Sequence, residues 1–165
     1  MKIYYASSIR GTQSEDLSIK DGIFIEQLRR FGIVLNENLT KERRSDKMPI
    51  FSDKEIHDRQ FQWIKEADII IAEVTNPSLG VGYVIGRGVD LNKKILCLFK
   101  TDKRKLSAMI RGNDNVLVKD YETVKGALKI ITEYFEDAGV QIHNTRSIRE
   151  INKSTMHGLL TGNHE

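Results

Sequence analysis

Short apolar segments alternate with longer amphipathic segments along most of this chain. The apolar segments predict β-strands at residues 2–6, 33–35, 68–74, 94–100 and 116–118. Apolar residues at helical spacing predict helices at about residues 17–31, 53–66, 80–91 and 123–135. Strands separated by helical stretches of about 10–15 residues are typical of parallel βαβ units. We therefore expect an α/β fold with a doubly wound, five-stranded parallel sheet in three layers.

The first two helices carry the clearest local signals. In the first, Ile19, Ile23, Leu28 and Phe31 have helical spacing and predict its buried face. Before the second, a serine at position 52 followed by a glutamate at position 55 is the pattern of a capping box, which predicts a helix that begins at residue 53. The strand that follows, at 68–74, is apolar throughout its centre, as expected of a strand covered on both faces.

Two polar segments lack any apolar periodicity. Residues 36–51 are basic, and we expect them to form a mobile surface loop. The pattern also fades after residue 139, and residues 140–165 are polar. We predict one domain at 1–139 and a polar C-terminal tail at 140–165, with one short helix near residues 147–152.

The composition is that of a folded, water-soluble chain. Hydrophobic residues make up 39% and charged residues 30% of the 165 residues. No apolar run reaches the roughly 18–20 residues of a membrane span, and the N-terminus lacks signal-peptide features. We expect no membrane partner and a cytoplasmic location, with the nucleus as the alternative. The single cysteine, Cys97, lies between two leucines and is expected to be a buried, reduced thiol.

Candidate chemistry is found where chain segments leave the predicted strands. In open parallel α/β sheets, ligands bind beyond the carboxyl ends of the strands, where residues 7–11, 77–82 and 105–112 are expected. The first segment offers hydroxyls and an arginine, and the second offers glycines and the start of a helix, both of which suit an anion. Each of the three segments also has an ordinary interpretation. The first is then a polar turn, the glycines of the second allow close helix–strand packing, and the third is a surface helix turn.

Other chemistries lack their residue patterns. The four histidines are scattered and Cys97 lies within a predicted strand, so no metal-ligand spacing exists, and we expect neither a metal nor a cofactor. Neither a Walker A loop nor a nucleophile elbow is present. A net charge of +3 is weak evidence for nucleic acid and fits small anions equally well. The basic segment at 41–44 has no interleaved aromatic residues, which disfavours a nucleic-acid polymer as partner.

Several longer motifs, read together, point to a known family. They comprise Tyr4 with residues 8–11, residues 29–32, residues 56–57 with Trp63, residues 67–83 with 86–87, residues 95–99 and residues 106–112. Over about residues 3–136 the chain resembles the 2'-deoxynucleoside 5'-phosphate N-hydrolases, relatives of the nucleoside 2-deoxyribosyltransferases.

This resemblance implies a flavodoxin-like α/β fold, a homodimer, and cleavage of a deoxynucleoside monophosphate to a free base and 2-deoxyribose 5-phosphate. It also implies that Tyr4 lies near the sugar. The 5'-phosphate would be held by hydroxyls and amides of Ser8, Ile9, Arg10, Gly11, Ser78 and Gly80. Ser107 would reach the same phosphate from the second subunit of the dimer.

Two positions depart from the family pattern. Where the family has a nucleophilic glutamate this chain has Val84, and where the family has an aspartate three residues before the helix tryptophan it has Gln60. Cleavage through an oxocarbenium-like state needs a carboxylate beside the anomeric carbon and an acidic group for the leaving base. Glu73, which we expect near the pocket, is the candidate substitute, although family members carry this glutamate alongside their nucleophile.

These substitutions favour a protein that binds a nucleoside 5'-monophosphate and whose N-glycosidic hydrolysis is lost or reduced. The alternative is an active deoxynucleotide N-glycosidase that uses Glu73 or a bound water. A third hypothesis is an interaction module with a vestigial nucleotide site, in which residues 36–51 and 140–165 contact the partner.

Overall fold

The computed structural model describes residues 1–8, 15–37, 51–101 and 105–140. The strands are β1 (Lys2–Ala6), β2 (Ile33–Val34), β3 (Ile69–Glu73), β4 (Lys94–Lys100) and β5 (Leu117–Tyr121). The helices are α1 (Glu15–Leu28), α2 (Asp53–Glu66), α3 (Leu79–Asp90), α4 (Ala108–Arg111) and α5 (Val124–Asp137). Most of the predicted loop at 36–51 (residues 38–50) and all but the first residue of the predicted tail at 140–165, with its predicted short helix, lie outside the described residues.

The sheet confirms the predicted architecture. Its five strands are all parallel and lie in the order β2-β1-β3-β4-β5, which is the order of flavodoxin-like folds. Chain order reverses between β1 and β3, where Ile3 pairs with Ile69 and Ala6 with Ala72. Ligand sites of doubly wound sheets lie beside this reversal, at the carboxyl ends of the strands.

Helices cover both faces of the sheet and create two apolar cores. On one face, side chains of α1 and α5 such as Leu28 and Ile131 pack against β1, β3 and β4. On the other face, Ile64 of α2 and Ile85 of α3 pack against the opposite side chains of the same strands. Because successive side chains of a strand point to opposite faces, each buried strand contributes to both cores.

The start of α2 agrees with the sequence in detail. The Ser52 hydroxyl accepts a hydrogen bond from the Glu55 backbone N–H at 3.3 Å, and the Glu55 carboxylate accepts one from the Ser52 N–H at 2.8 Å. The predicted capping box and the predicted helix bounds are therefore confirmed. Such reciprocal bonds satisfy two backbone donors that would otherwise be exposed at a helix start.

The buried face of α1 agrees with the prediction at Leu28, and Phe31 just beyond the helix is also buried, but Ile19 and Ile23 differ from the prediction. Ile19 and Ile23 are 51% and 40% exposed, whereas Phe24, Ile25 and Leu28 are buried. Adjacent helix residues are separated by about 100°, so choosing Ile23 rather than its neighbour rotates the predicted stripe away from the sheet. The packing of α1 on β1, and not its own periodicity, decides which face is buried.

The bounds of β5, the burial of Cys97 and the lengths of the helices bear on three further predictions. β5 is longer than the predicted segment at 116–118, because Lys119 and Asp120 extend an edge strand that tolerates exposed polar residues. In β4, burial raises the pKa of Cys97 to about 12, which confirms the predicted buried thiol. Among the helices of the described ranges, none combines the length and the apolar character needed to cross a membrane.

Candidate functional site

A cavity of about 250 Å³ opens beside the chain reversal, at the carboxyl end of β1. Its walls come from residues 4–7, from Ile25 of α1, from Asn36 after β2, and from one side each of α2 and α3. The described lining is mostly apolar, with a small number of hydroxyl and amide groups. This composition, at this position in the sheet, is typical of small-molecule sites.

The start of α3 supplies donors for an anion. Ser78 is the N-cap of this helix, and its hydroxyl oxygen accepts a hydrogen bond from the Val81 N–H at 3.4 Å. At Gly80 an added Cβ would meet only the Ser78 hydroxyl, at 3.9 Å, whereas at Gly88 it would lie 2.5 Å from the Ile70 Cδ1. Close helix–strand packing therefore explains Gly88, and the backbone around Gly80 stays open to a ligand.

Tyr4, Gln60 and Val84 meet in the wall between β1 and the two helices. The Tyr4 hydroxyl donates a hydrogen bond to Oε1 of Gln60 at 2.5 Å. Val84 is 8% exposed and lines the cavity with its aliphatic side chain. The structure thus brings together the tyrosine that the resemblance implies near the sugar and the two positions at which it implies carboxylates.

Among the described residues that line the cavity, none is an aspartate or a glutamate. Nor do the described ranges contain a group of three or more His, Cys, Asp or Glu side chains that could hold a metal ion. As far as the structure describes it, the wall thus offers hydroxyl, amide and imidazole groups and a largely apolar surface.

Glu73 is not among the described residues that line this cavity, although it lies close enough to the lining residue Tyr5 for its charge to contribute to the raised pKa of that hydroxyl. Its side chain is 2% exposed, and Lys20 of α1 pairs with it at an Nζ–Oε2 distance of 3.0 Å. The Tyr121 hydroxyl donates to it at 3.0 Å, and Thr75 donates a further hydrogen bond. The cause is strand alternation, because the preceding Ala72 packs in the core on the α2 and α3 side.

The structure describes only some of the remaining predicted phosphate ligands. Ser8 is half-buried and directly follows Ser7, which lines the cavity just after the end of β1. Ser107 is exposed and caps α4, where its hydroxyl accepts a hydrogen bond from the Met109 N–H at 3.3 Å, and it does not line the cavity of its own chain. Ile9, Arg10 and Gly11 lie outside the described residues.

One wall residue was missed because it begins the segment that we predicted as a loop. Asn36 is 8% exposed, and its side-chain amide accepts from the Tyr5 N–H at 3.0 Å and donates to the Tyr5 carbonyl at 2.6 Å. The side chain thus continues the pairing of β2 with β1 after β2 has ended. A polar residue directly after a short apolar strand was the only signal for it.

Aromatic side chains form the wall contributed by α2 and the first turns of α3. The His57 ring stacks on Phe61 with 5.9 Å between centroids, and its Nε2 lies 3.0 Å from the Tyr83 hydroxyl. Its Nδ1 lies 3.1 Å from Oδ1 of Asp58. These contacts hold flat surfaces in place, and flat aromatic surfaces favour contact with a planar ring such as a nucleobase.

Comparison with known proteins agrees with this geometry. Residues 3–149 match the family model described as nucleoside 2-deoxyribosyltransferase. The chain is 46% identical over 141 residues to a 5-hydroxymethyl-dUMP N-hydrolase of Danio rerio, covering 82% of this chain and 96% of the relative. It is 42% identical to the human protein of the same name, covering 81% and 79% of the two chains.

Two more distant proteins extend the comparison. A putative 2'-deoxynucleoside 5'-phosphate N-hydrolase 1 of Trichoplax adhaerens is 40% identical, covering 78% of this chain and 89% of the relative. The solved structure of a Clostridium botulinum CMP N-glycosidase has a TM-score of 0.64 at 21% identity, covering 81% and 99% of the two chains, and thus shares the fold. With a family model matched from the first strand to beyond the last helix, the chain belongs to the nucleoside 2-deoxyribosyltransferase family.

Proposed function

We propose that this chain binds a nucleoside 5'-monophosphate in the cavity and that its N-glycosidic hydrolysis is lost or strongly reduced. One observation carries the proposal. Val84 and Gln60 both line the cavity beside Tyr4, and the described lining holds no carboxylate, whereas the hydroxyl and open backbone at the start of α3 remain.

The loss of activity follows from the chemistry of the bond. Cleaving an N-glycosidic bond builds positive charge at the anomeric carbon, which a carboxylate stabilises or captures, and a second acidic group protonates the leaving base. Valine has no lone pair with which to do the first task. A glutamine amide is neutral and is not an acid, so Gln60 cannot do the second, and it already accepts the hydrogen bond of Tyr4.

Binding requires less than catalysis and keeps its main supports. The amides at the start of α3 and the Ser78 hydroxyl suit a phosphate dianion. The resemblance implies that Tyr4, which lines the cavity, lies near the sugar, and the aromatic wall of His57, Phe61 and Tyr83 suits the base. We assign the three parts of the nucleotide to these three parts of the cavity.

Calorimetric titration combined with an assay for free base tests both halves of the proposal. With 5-hydroxymethyl-dUMP, dUMP, dCMP and dAMP, we expect saturable binding of at least one nucleotide. Base release should be at least about 100-fold slower than in a glutamate-bearing relative, since losing a general acid alone removes that much. Release at the relative's rate would contradict the proposal, and absence of all binding would favour a vestigial site.

Two serine-to-alanine variants separate ligand contact from helix capping. Ser78 and Ser52 are both N-caps, of α3 and α2, but only Ser78 lines the cavity. Either substitution should cost about 1 kcal/mol of folding free energy. Only S78A is expected to weaken nucleotide binding, by about 10-fold or more, and equal affinities of S78A and S52A would argue against a phosphate at this helix start.

The alternative of an active enzyme that uses Glu73 has its own test. E73Q keeps the shape of the side chain and removes its charge. Because Glu73 does not line the cavity, we expect unchanged nucleotide affinity and no turnover in either form. Turnover in the native protein that disappears in E73Q would support the active glycosidase instead.

We also propose a homodimer in which Ser107 of the partner subunit contacts the phosphate. Support comes from two apolar side chains beside predicted phosphate ligands, since Leu79 is 96% exposed next to Ser78 and Met109 is 83% exposed near Ser107. Apolar side chains this exposed are typical of interaction surfaces. Sedimentation analysis should show a dimer that L79E and M109E weaken, and a monomer that binds nucleotide fully would contradict the shared site.

A further inference from the structure

A carboxylate of α1 stands directly behind the cavity wall. Oδ1 of Asp21 accepts a hydrogen bond from the Tyr5 hydroxyl at 2.8 Å, and Oδ2 accepts one from the Ser7 hydroxyl at 2.7 Å. Tyr5 and Ser7 line the cavity, whereas Asp21 does not. The acidic group therefore contacts the cavity wall through these two hydroxyl groups.

The surroundings keep this arrangement rigid. The backbone of Tyr5 is held on both its N–H and its carbonyl by Asn36, which fixes the strand two residues before Ser7. The neighbouring cation, Lys20, pairs with Glu73 at 3.0 Å. Burial raises the pKa of the Asp21 carboxyl, while the hydroxyls of Ser7 and Tyr5 oppose that rise by donating to the charged form.

Ser7 and Ser78, two serines of the cavity wall, therefore have opposite hydrogen-bonding roles toward a ligand. A serine hydroxyl has one hydrogen and two lone pairs. Ser7 gives its hydrogen to Asp21, so it offers only lone pairs to the cavity. Ser78 receives a hydrogen bond from the Val81 N–H, so its own hydrogen is available to a ligand.

A phosphate dianion has no hydrogen to donate and fits Ser78 but not Ser7. The group opposite Ser7 must carry an O–H or N–H. In a nucleoside monophosphate the sugar hydroxyls are the donors nearest to the phosphate, and β1 also carries Tyr4, which faces the sugar in our assignment.

We propose that Ser7, oriented by Asp21, is a specificity-determining acceptor for a sugar hydroxyl of the bound nucleotide. The inference rests on the proposed nucleotide-binding function. Asp21 acts as a positioning residue, since it touches Ser7 and not the ligand. A ligand that lacks the hydroxyl leaves the Ser7 lone pairs unsatisfied, and this loss lowers its affinity.

Four nucleotides that differ only in their sugar hydroxyls test this proposal. They are the 5'-monophosphates of adenosine, 2'-deoxyadenosine, 3'-deoxyadenosine and 2',3'-dideoxyadenosine, with the matching uridine series as a second base. The native protein should bind the best hydroxyl-bearing nucleotide about 10-fold more tightly than the dideoxynucleotide, or about 1.4 kcal/mol. The monodeoxy compound that loses affinity identifies which hydroxyl is recognised.

Variants then assign the preference to the Ser7–Asp21 pair. S7A removes the acceptor, and the amide in D21N can donate to Ser7 and turn its hydrogen toward the cavity. In both, the 10-fold preference should fall to about 2-fold or less, while S7T, which keeps a hydroxyl, should restore it. Y121F is the matched control, because it removes a hydroxyl that donates to a different buried carboxylate, Glu73, outside the cavity lining, and it should keep the preference.

The outcomes separate this inference from the proposed function. Binding of all four nucleotides with equal affinity, or a preference that survives in S7A, would overturn the role of Ser7 and leave nucleotide binding intact. Failure of every nucleotide to bind would overturn the proposed function and this inference with it. Thermal unfolding of each variant without ligand shows that the comparison is made on folded protein.

Discussion

At the carboxyl ends of the strands, two neighbouring regions differ in whether they contain an acidic side chain. On the face covered by α1 and α5, Glu73 is 2% exposed and is held by Lys20, Thr75 and Tyr121. Beside it, a cavity of about 250 Å³ lies between the end of β1, α2 and α3 and reaches Ile25 of α1, and its described lining contains no carboxylate. Glu73 is thus buried among its three partners, and the described lining of the cavity lacks an acid of its own.

This difference shows that an acidic residue close in sequence to a cavity residue need not present its carboxylate to the cavity. Glu73 lies five residues before the N-cap Ser78, yet the strand pleat directs its side chain to the other core. It is also paired with a buried cation, so releasing it would leave Lys20 uncompensated. A glycosidic reaction in this cavity needs a carboxylate that the cavity itself presents.

The strongest way to break the contrast is to put acids back into the cavity with V84E and Q60D together. We expect base release from deoxynucleoside monophosphates to rise at least about 100-fold over the native protein, because both the carboxylate at the sugar and the acid for the base are then present. Chromatography of released base measures the change.

The control for that experiment is the combination V84Q with Q60N, which has similar size and no charge and should stay at the native rate. Unfolding curves should accompany both, since Val84 is 8% exposed and a carboxylate there loses solvation. A double acid variant that binds nucleotide but releases no base would indicate that the site differs from active relatives in more than these two positions.

A second test removes the charged partner of the buried Glu73. Replacing Lys20 with methionine removes the partner of Glu73 and should reduce the free energy of unfolding by about 3–5 kcal/mol. Lys2 and Glu66 form a comparable pair at 3.2 Å on the surface, with side chains 48% and 37% exposed, and K2M should cost at most about 1 kcal/mol. Urea unfolding of both variants measures the difference. Equal costs would contradict a tightly held Glu73.

The smallest expected effects come from one hydroxyl on each face. Y121F removes a hydrogen bond to the buried carboxylate and should cost about 1.5–3 kcal/mol, whereas Y4F removes one to the neutral Gln60 and should cost about 0.5–1.5 kcal/mol. Y4F should also weaken nucleotide binding, because Tyr4 lines the cavity and Tyr121 does not. A larger loss of unfolding free energy for Y4F than for Y121F would contradict the stronger hydrogen bond expected at the buried carboxylate.

Much of the fold could be predicted because its signals are local. The capping box at Ser52 and Glu55 placed α2 within its observed bounds, and the apolar centre of β3 marked a strand buried on both faces. The stripe of α1 was misplaced by choosing Ile23 over Phe24, since both are apolar and adjacent. Only contact with the sheet distinguishes two such neighbouring faces.

The site could be predicted in part for the same reason. Ser78, Gly80, Gln60 and Val84 belong to motifs with fixed spacing, and the structure places all four at one cavity. Asn36 could not be recognised, because its role is to pair with Tyr5, 31 residues earlier in the chain.

The sequence by itself determined the alternation of strands and helices, the parallel α/β class, and the absence of acids at Val84 and Gln60, because these depend on spacing within short segments. Tertiary structure alone decided that Glu73 turns away from the cavity and that Asp21 stands behind Ser7. Those placements depend on the strand pleat and on the rotation of α1 against the sheet, which segments distant along the chain set together.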